Sequence, residues 1–235
     1  MDFFCDFHHM QLPEGLIDSI RECGKKSGAS VNDQFLAAAM QTLGNYTAED
    51  RKKACRRFLR PKRDRVGLSV AVDIRPFANE SLNDRFGFFL SYFNVLLENP
   101  EAVPLSELAA RIAAITKLMK TSRHPLRFFQ SFKMVNLFWD YYRQPRQRAL
   151  MLHRAAPLLG GISNVNLTDS WIGRDGRVLD YLRVSPTGPL LPIVFALTTI
   201  GKRLSLCVTH RNAAFSAEQG AEIRADFVRR LCNIN

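Results

Sequence analysis

Residues Val66–Ile74 alternate without a break between apolar and small or polar side chains. In an extended chain Val66, Leu68, Val70, Val72 and Ile74 point one way, and Gly67, Ser69, Ala71, Asp73 and then Arg75 point the other. A strand face made wholly of Val, Leu and Ile has to be covered by a second layer. The rest of the sequence supplies candidate layers. Pro13 opens a predicted helix with Leu16, Ile17, Ile20 and Cys23 on one face and a stop at Gly24. Ser30 predicts a cap for a second helix, with Asp33 at the position that answers it in a capping box. The stripe of that helix is Val31, Phe35, Leu36, Ala39 and Leu43, and Gly44-Asn45 is its predicted end.

Further along, Phe86–Leu97 is apolar on both sides, which predicts a central strand covered on both faces. Leu105–Lys120 is amphipathic through Leu108, Ile112, Ile115 and Met119, and Pro125 restarts a helix carrying Phe128, Phe132, Val135, Phe138 and Tyr142. Gly160-Gly161 precede a short strand, Ile162–Leu167. Asp175-Gly176 and Gly201-Lys202 read as hairpin turns, the second joining Ile193–Thr199 to Arg203–His210. Phe3–Leu12 reads as an N-terminal strand, and Ser216 with Gln219 as the capping box of a last helix through Ile223, Phe227 and Leu231. Strands and helices are thus interleaved, with an antiparallel hairpin among them. The fold class is α/β, a mixed α+β sandwich, in a single domain over residues 1–235.

Composition narrows the setting. The five cysteines are scattered, odd in number and without a C-x-x-C pair, which speaks for a reducing cytoplasm and against a disulfide framework or a zinc site. The start has no basic region and no cleavage signal, and no uninterrupted apolar run reaches membrane-spanning length, so the expected location is cytoplasmic with no transmembrane segment. The net charge of +11 is concentrated in Arg51–Arg65, where nine basic residues face one acid. Arg51, Lys52, Lys53, Arg56, Arg57, Arg60, Lys62 and Arg63 form a candidate docking patch for an acidic partner or for coenzyme A phosphates. The plainer reading is a solvated helix and loop. No nucleic-acid motif accompanies it, so no nucleic-acid partner is expected.

Most candidate chemistry fails on inspection. His8-His9 lacks further ligands at metal spacing, and two histidines near the end of an N-terminal strand are the simpler reading. Gly161-Ile162-Ser163 lacks the second glycine of a nucleophile elbow, since Val165 stands there. No dinucleotide or nucleotide loop is present. Asp73 and Arg75 share the polar side of their strand and can pair with each other or with another domain. Asn164 and Asn166 share one face of their strand. Neither a catalytic residue nor a metal site is assigned.

Several of these segments, in this order, resemble the C-terminal half of the coenzyme A-dependent acyltransferase superfamily. That group holds chloramphenicol acetyltransferase, condensation domains and the wax ester synthase/diacylglycerol acyltransferases. Leu12–Leu43 resembles the helix pair opening the second subdomain, with Val31-Asn32-Asp33 and Leu36-Ala37-Ala38-Ala39 similar to the wax ester synthase branch. Val70–Pro76 resembles the strand ending in the family arginine, here Arg75. Phe86–Leu97 sits where the family has a G-N-x-x-N/S strand; Gly87 and Ser91 match it and Phe88 departs. Gly161–Val165 resembles the S-N strand, and Phe195–Ser216 the late hairpin.

The resemblance implies acyl transfer from a coenzyme A or acyl-carrier-protein thioester to a hydroxyl or amine, without a tightly bound cofactor. It also implies a general base in an H-H-x-x-x-D-G motif. No H-x-x-x-D-G occurs in this sequence. The expectation is a C-terminal subdomain whose N-terminal catalytic subdomain is absent, the polypeptide being a shortened or truncated product or one chain of a split protein. Such a chain needs the missing subdomain or a companion chain. Arg75 is then an interdomain clamp with Asp73 beside it. Asn32, Asp33, Ser91, Ser163 and Asn164 carry over as candidate channel or interface residues. The rival reading is a non-catalytic binding module that docks through residues 51–65.

Overall fold

The computed structural model describes residues 4–58, 65–78, 81–82, 85–127, 158–167, 181–188, 190–234 and scattered positions between 133 and 148; side chains are described up to residue 48 of the first long helix and from residue 65 onward. The described elements are β1 (Cys5–Gln11), α1 (Leu16–Ser27), α2 (Val31–Phe58), β2 (Arg65–Asp73), β3 (Leu90–Glu98), α3 (Leu105–Thr121), β4 (Gly160–Asn166), β5 (Ile193–Ile200), β6 (Arg203–Arg211) and α4 (Ala217–Cys232). The strands form one mixed sheet in the order β1-β6-β5-β4-β2-β3. β4 runs parallel to β2 and β5, and the other pairings are antiparallel.

Alternation decides which face is covered. Val66, Leu68 and Val70 of β2 share a buried cluster with Phe93 and Val95 of β3, Ile162 of β4, Phe195 and Leu197 of β5, and Leu206 and Val208 of β6. Leu16 and Ile20 of α1, Phe35 and Leu43 of α2, Leu108 and Ile112 of α3, and Ile223 and Phe227 of α4 join the same cluster. All four helices therefore cover one face, and the mixed α/β sandwich expected from the sequence is what forms. The Phe195 and Phe227 rings meet at 4.8 Å between centroids, within the range of a favourable tilted pair.

Both expected capping boxes are present. Ser30 N–H donates to Asp33 Oδ2 at 2.8 Å while the Asp33 N–H reaches Ser30 Oγ at 3.3 Å. Ser216 and Gln219 repeat the arrangement at the start of α4. The hairpin of β5 and β6 closes on Gly201, whose φ of 60° suits glycine.

Three expectations fail at glycines and at an edge. α1 runs through Gly24 and ends at Gly28, the left-handed residue. A Cβ at Gly24 would meet the Ala29 carbonyl oxygen at 2.5 Å, so this glycine serves close approach of the connecting backbone and does not stop the helix. α2 likewise runs past Gly44-Asn45 to Phe58, because Gly44 makes room for the single turn Pro100–Ala102. Phe86–Leu97 is not a central strand. β3 begins at Leu90, lies at the sheet edge, and its burial alternates along its length. The aromatic-rich helix read from Pro125 starts as a single turn, His124–Arg127, and Phe128, Phe132, Val135, Phe138 and Tyr142 lie outside the described residues, as does Asp175-Gly176.

Candidate functional site

Several of the candidate residues gather where β2 ends and β3 begins. β2 delivers Asp73 as its last, half-exposed residue, and Pro76 then bends the chain into the single turn Arg75–Phe77. The Asp73 carboxylate caps that bend by accepting the Arg75 backbone N–H at 3.0 Å. The same carboxylate meets Arg75 Nη1 at 3.4 Å, a long contact between groups that are 31% (arginine) and 51% (aspartate) exposed. Pairs of this kind contribute about 0.2–1 kcal/mol. The guanidinium carbon of Arg75 stands 4.5 Å from the centroid of the Phe89 ring. Its Nε–H is buried and has no hydrogen-bond partner. Arg75 is thus stacked and held on one side, with its buried Nε–H unused.

The rows across the sheet extend this end. Ser91 of β3 pairs with Val72 of β2, and Ile162 of β4 pairs with Val70, so Asn164 follows on the same helix-covered face as Ser91. Ser91 is fully buried and its hydroxyl donates to the Pro125 carbonyl at 2.6 Å, which commits it to the turn above. The Asn164 side-chain oxygen is buried without a partner. Just before β3, Phe86 is fully exposed and Phe88 mostly so.

The other carried-over residues sit elsewhere. Asp33 is buried at the start of α2, where Oδ2 takes the Ser30 N–H and hydroxyl and Oδ1 takes the Thr116 hydroxyl at 2.8 Å. That carboxylate ties α2 to α3, so it faces neither a channel nor an open interface. Asn32 is half-buried on the same first turn. Ser163 faces away from the helices and is occupied by Arg183. Of the basic stretch, Arg51, Lys52, Lys53, Arg56 and Arg57 lie on the last turns of α2, while Arg60, Lys62 and Arg63 lie outside the described residues.

Sequence reading missed Arg183. Its guanidinium lies on the face of the sheet opposite the described helices. It donates to Ser163 Oγ and O (both 2.8 Å), Leu197 O (2.6 Å), Thr198 Oγ1 (3.2 Å) and Ser185 Oγ (3.5 Å). Burial lowers its pKa from the usual arginine value, with Tyr181 and Cys207 acting in the opposite direction. Leu182 and Val184 alternate with it, but both are exposed, so the local pattern gives no signal for a buried arginine. His8 and His9 also shift from expectation, standing in the middle of β1 and not at its end.

No protein-family model matches the sequence, and no curated protein matches it as a relative. Solved structures do match. The trichothecene 15-O-acetyltransferase of Fusarium sporotrichioides superposes with a TM-score of 0.68 at 12% identity, covering 98% of this chain and 47% of that one. The condensation domain that mediates chain release from the enacyloxin polyketide synthase gives 0.63 at 13% identity, covering 100% and 41%. The PapA2 acyl transferase gives 0.56 at 13% identity, covering 100% and 45%.

The fold is that of condensation and acyltransferase domains.

At these identities the likeness fixes the fold and leaves the chemistry to the residues. The chain spans less than half the length of these matched structures. Among the described residues no helix is long and apolar enough to cross a membrane.

Proposed function

We propose that this chain is the C-terminal portion of an acyltransferase that moves an acyl group from a coenzyme A or carrier-protein thioester to a hydroxyl or amine. It supplies a wall and a clamp, and the general base comes from a companion half. The observation that carries this is the pairing of a full-length structural match, covering less than half of each matched structure, with a sequence that contains no H-x-x-x-D-G. In the complete reaction the base takes the acceptor's proton, the acceptor attacks the thioester carbonyl, and the thiolate departs.

Arg75 fits the clamp. It is fixed in direction by Phe89 and by the Asp73 carboxylate, its contact with Asp73 is long, and its Nε–H is unused. A carboxylate from the companion half would pair with the exposed part of that guanidinium. Co-expression with a polypeptide bearing the H-H-x-x-x-D-G half should give a complex that transfers acyl groups. Replacing Arg75 with alanine should reduce that transfer at least tenfold. A complex equally active with Arg75→Ala would remove the clamp from the account.

A second reading is favoured by the helical backbone of residues 51–58, which gathers five basic residues on the last turns of α2. Cations at a helix C-terminus are favourable, and such a cluster suits an acidic docking partner. On this reading the chain is a binding module. Affinity for an acidic protein would fall steeply with salt and vanish on neutralising Arg51, Lys52, Lys53, Arg56 and Arg57.

A further inference from the structure

The described residues hold one histidine that the fold buries completely, His210 on β6. Its ring stacks on His8 of the edge strand β1, with centroids 5.5 Å apart and an interplanar angle of 24°. On its other side lies the first turn of α4, where Gly220 presents bare backbone: a Cβ at Gly220 would fall 2.3 Å from His210 Nε2. Neither ring nitrogen of His210 has a well-formed hydrogen bond. His8 Nε2 sits 3.2 Å from the Ala217 carbonyl, so the stacked pair bridges β1, β6 and the start of α4.

We propose that the His8–His210 stack is an acid-sensitive clasp that holds the first turn of α4 and the edge strand β1 onto the sheet. In the neutral state His210 fills the space over Gly220 as a flat, largely apolar ring. A proton there puts a charge in a buried site, against a second imidazole and near the positive end of α4. The titratable groups facing His210 are His8 and Asp6, both from β1; the loop and α4 present the backbone of Phe215 and Gly220. Burial lowers the His210 pKa first and His8 adds to it, while the Asp6 charge and the Phe215 backbone oppose. A group whose folded pKa lies below its unfolded one contributes stability above the unfolded value, near 6.5 for histidine, and loses it as pH falls through the folded value. The clasp is therefore closed at neutral pH and opens on acidification.

Hydrogen exchange on the full chain tests this. Between pH 7.5 and 5.5, after correction for intrinsic exchange, protection of the Gln219 and Gly220 amides and of those in β1 should fall by about tenfold relative to β2 and β5. His210→Gln, which cannot titrate, should lose that pH dependence. Because the variant alters packing over Gly220, the imidazole resonances of the unaltered chain give an independent readout, and His210 should titrate below the ordinary histidine range. An ordinary His210 midpoint, or equal pH profiles for α4 in the chain and the variant, would overturn the proposal.

Discussion

The two ends of the helix layer differ in how completely they are satisfied. Where α2 crosses α4, Arg230 donates to the Gln41 side-chain oxygen at 2.7 Å and to Asp226 at 2.7 Å, and Gln41 donates to the Val103 carbonyl at 2.5 Å. Arg229 adds a second contact to Asp226. Phe35 and Phe227 are sealed beneath. Where β2 meets β3, Phe86 and Phe88 face solvent, the Arg75–Asp73 contact is long, and Arg75 Nε and Asn164 Oδ1 lack partners. In the first region the charged side chains are paired within the chain. The second has the composition of a surface that another polypeptide covers: exposed aromatics, an oriented guanidinium and unmet polar groups.

Substitutions in the first region should cost stability and those in the second should not. Phe227→Ala removes a fully buried ring packed at a tilt against Phe195 and should lower unfolding stability by about 3–5 kcal/mol in urea denaturation. Asp33→Ala deletes the carboxylate half of the α2 capping box and the Thr116 contact and should cost about 1–2 kcal/mol, with weakened α2–α3 docking seen by hydrogen exchange.

The α2–α4 crossing should also show in the acid limb of stability. Burial alone would raise the Asp226 pKa, yet the hydrogen bonds from Arg230 and Arg229, with the Arg230 charge and Thr42, hold it below the usual aspartate value. A depressed folded pKa means stability present above the unfolded value and lost as pH falls through the folded one. Asp226→Asn should therefore be less stable at neutral pH and should flatten the decline at low pH, measured as urea midpoints across an acid series.

At the other end, Arg75→Ala and Phe86→Ser should change stability of the isolated chain by no more than about 0.5 kcal/mol. A loss of several kcal/mol at either residue would mean that this end is already complete.

The same contrast explains how much could be read beforehand. Elements whose signal is local were legible: the period-two run of β2, the stripe of α3, both capping boxes and the Gly201 turn. The glycines misled because Gly24 and Gly44 serve close contacts with Ala29 and Pro100–Ala102, partners distant from the local pattern that suggested helix stops. β3 was mistaken for a central strand because Phe86–Phe89 are apolar, although they precede the strand and two of them are exposed. At the site, Asp73 and Arg75 were legible from their shared strand face. Arg183 was not, because its acceptors come from β4, β5 and its own segment, brought together only by the sheet.

The claim on which the rest depends is that the proton-transferring group lies outside these residues. Steady-state release of free coenzyme A from acetyl-coenzyme A, with hydroxyl and amine acceptors supplied and this chain as the sole protein, measures it most directly. The account predicts a rate no different from the protein-free control, unchanged in His8→Ala and His210→Ala variants. Sustained acceptor-dependent turnover that either histidine substitution abolishes would contradict it.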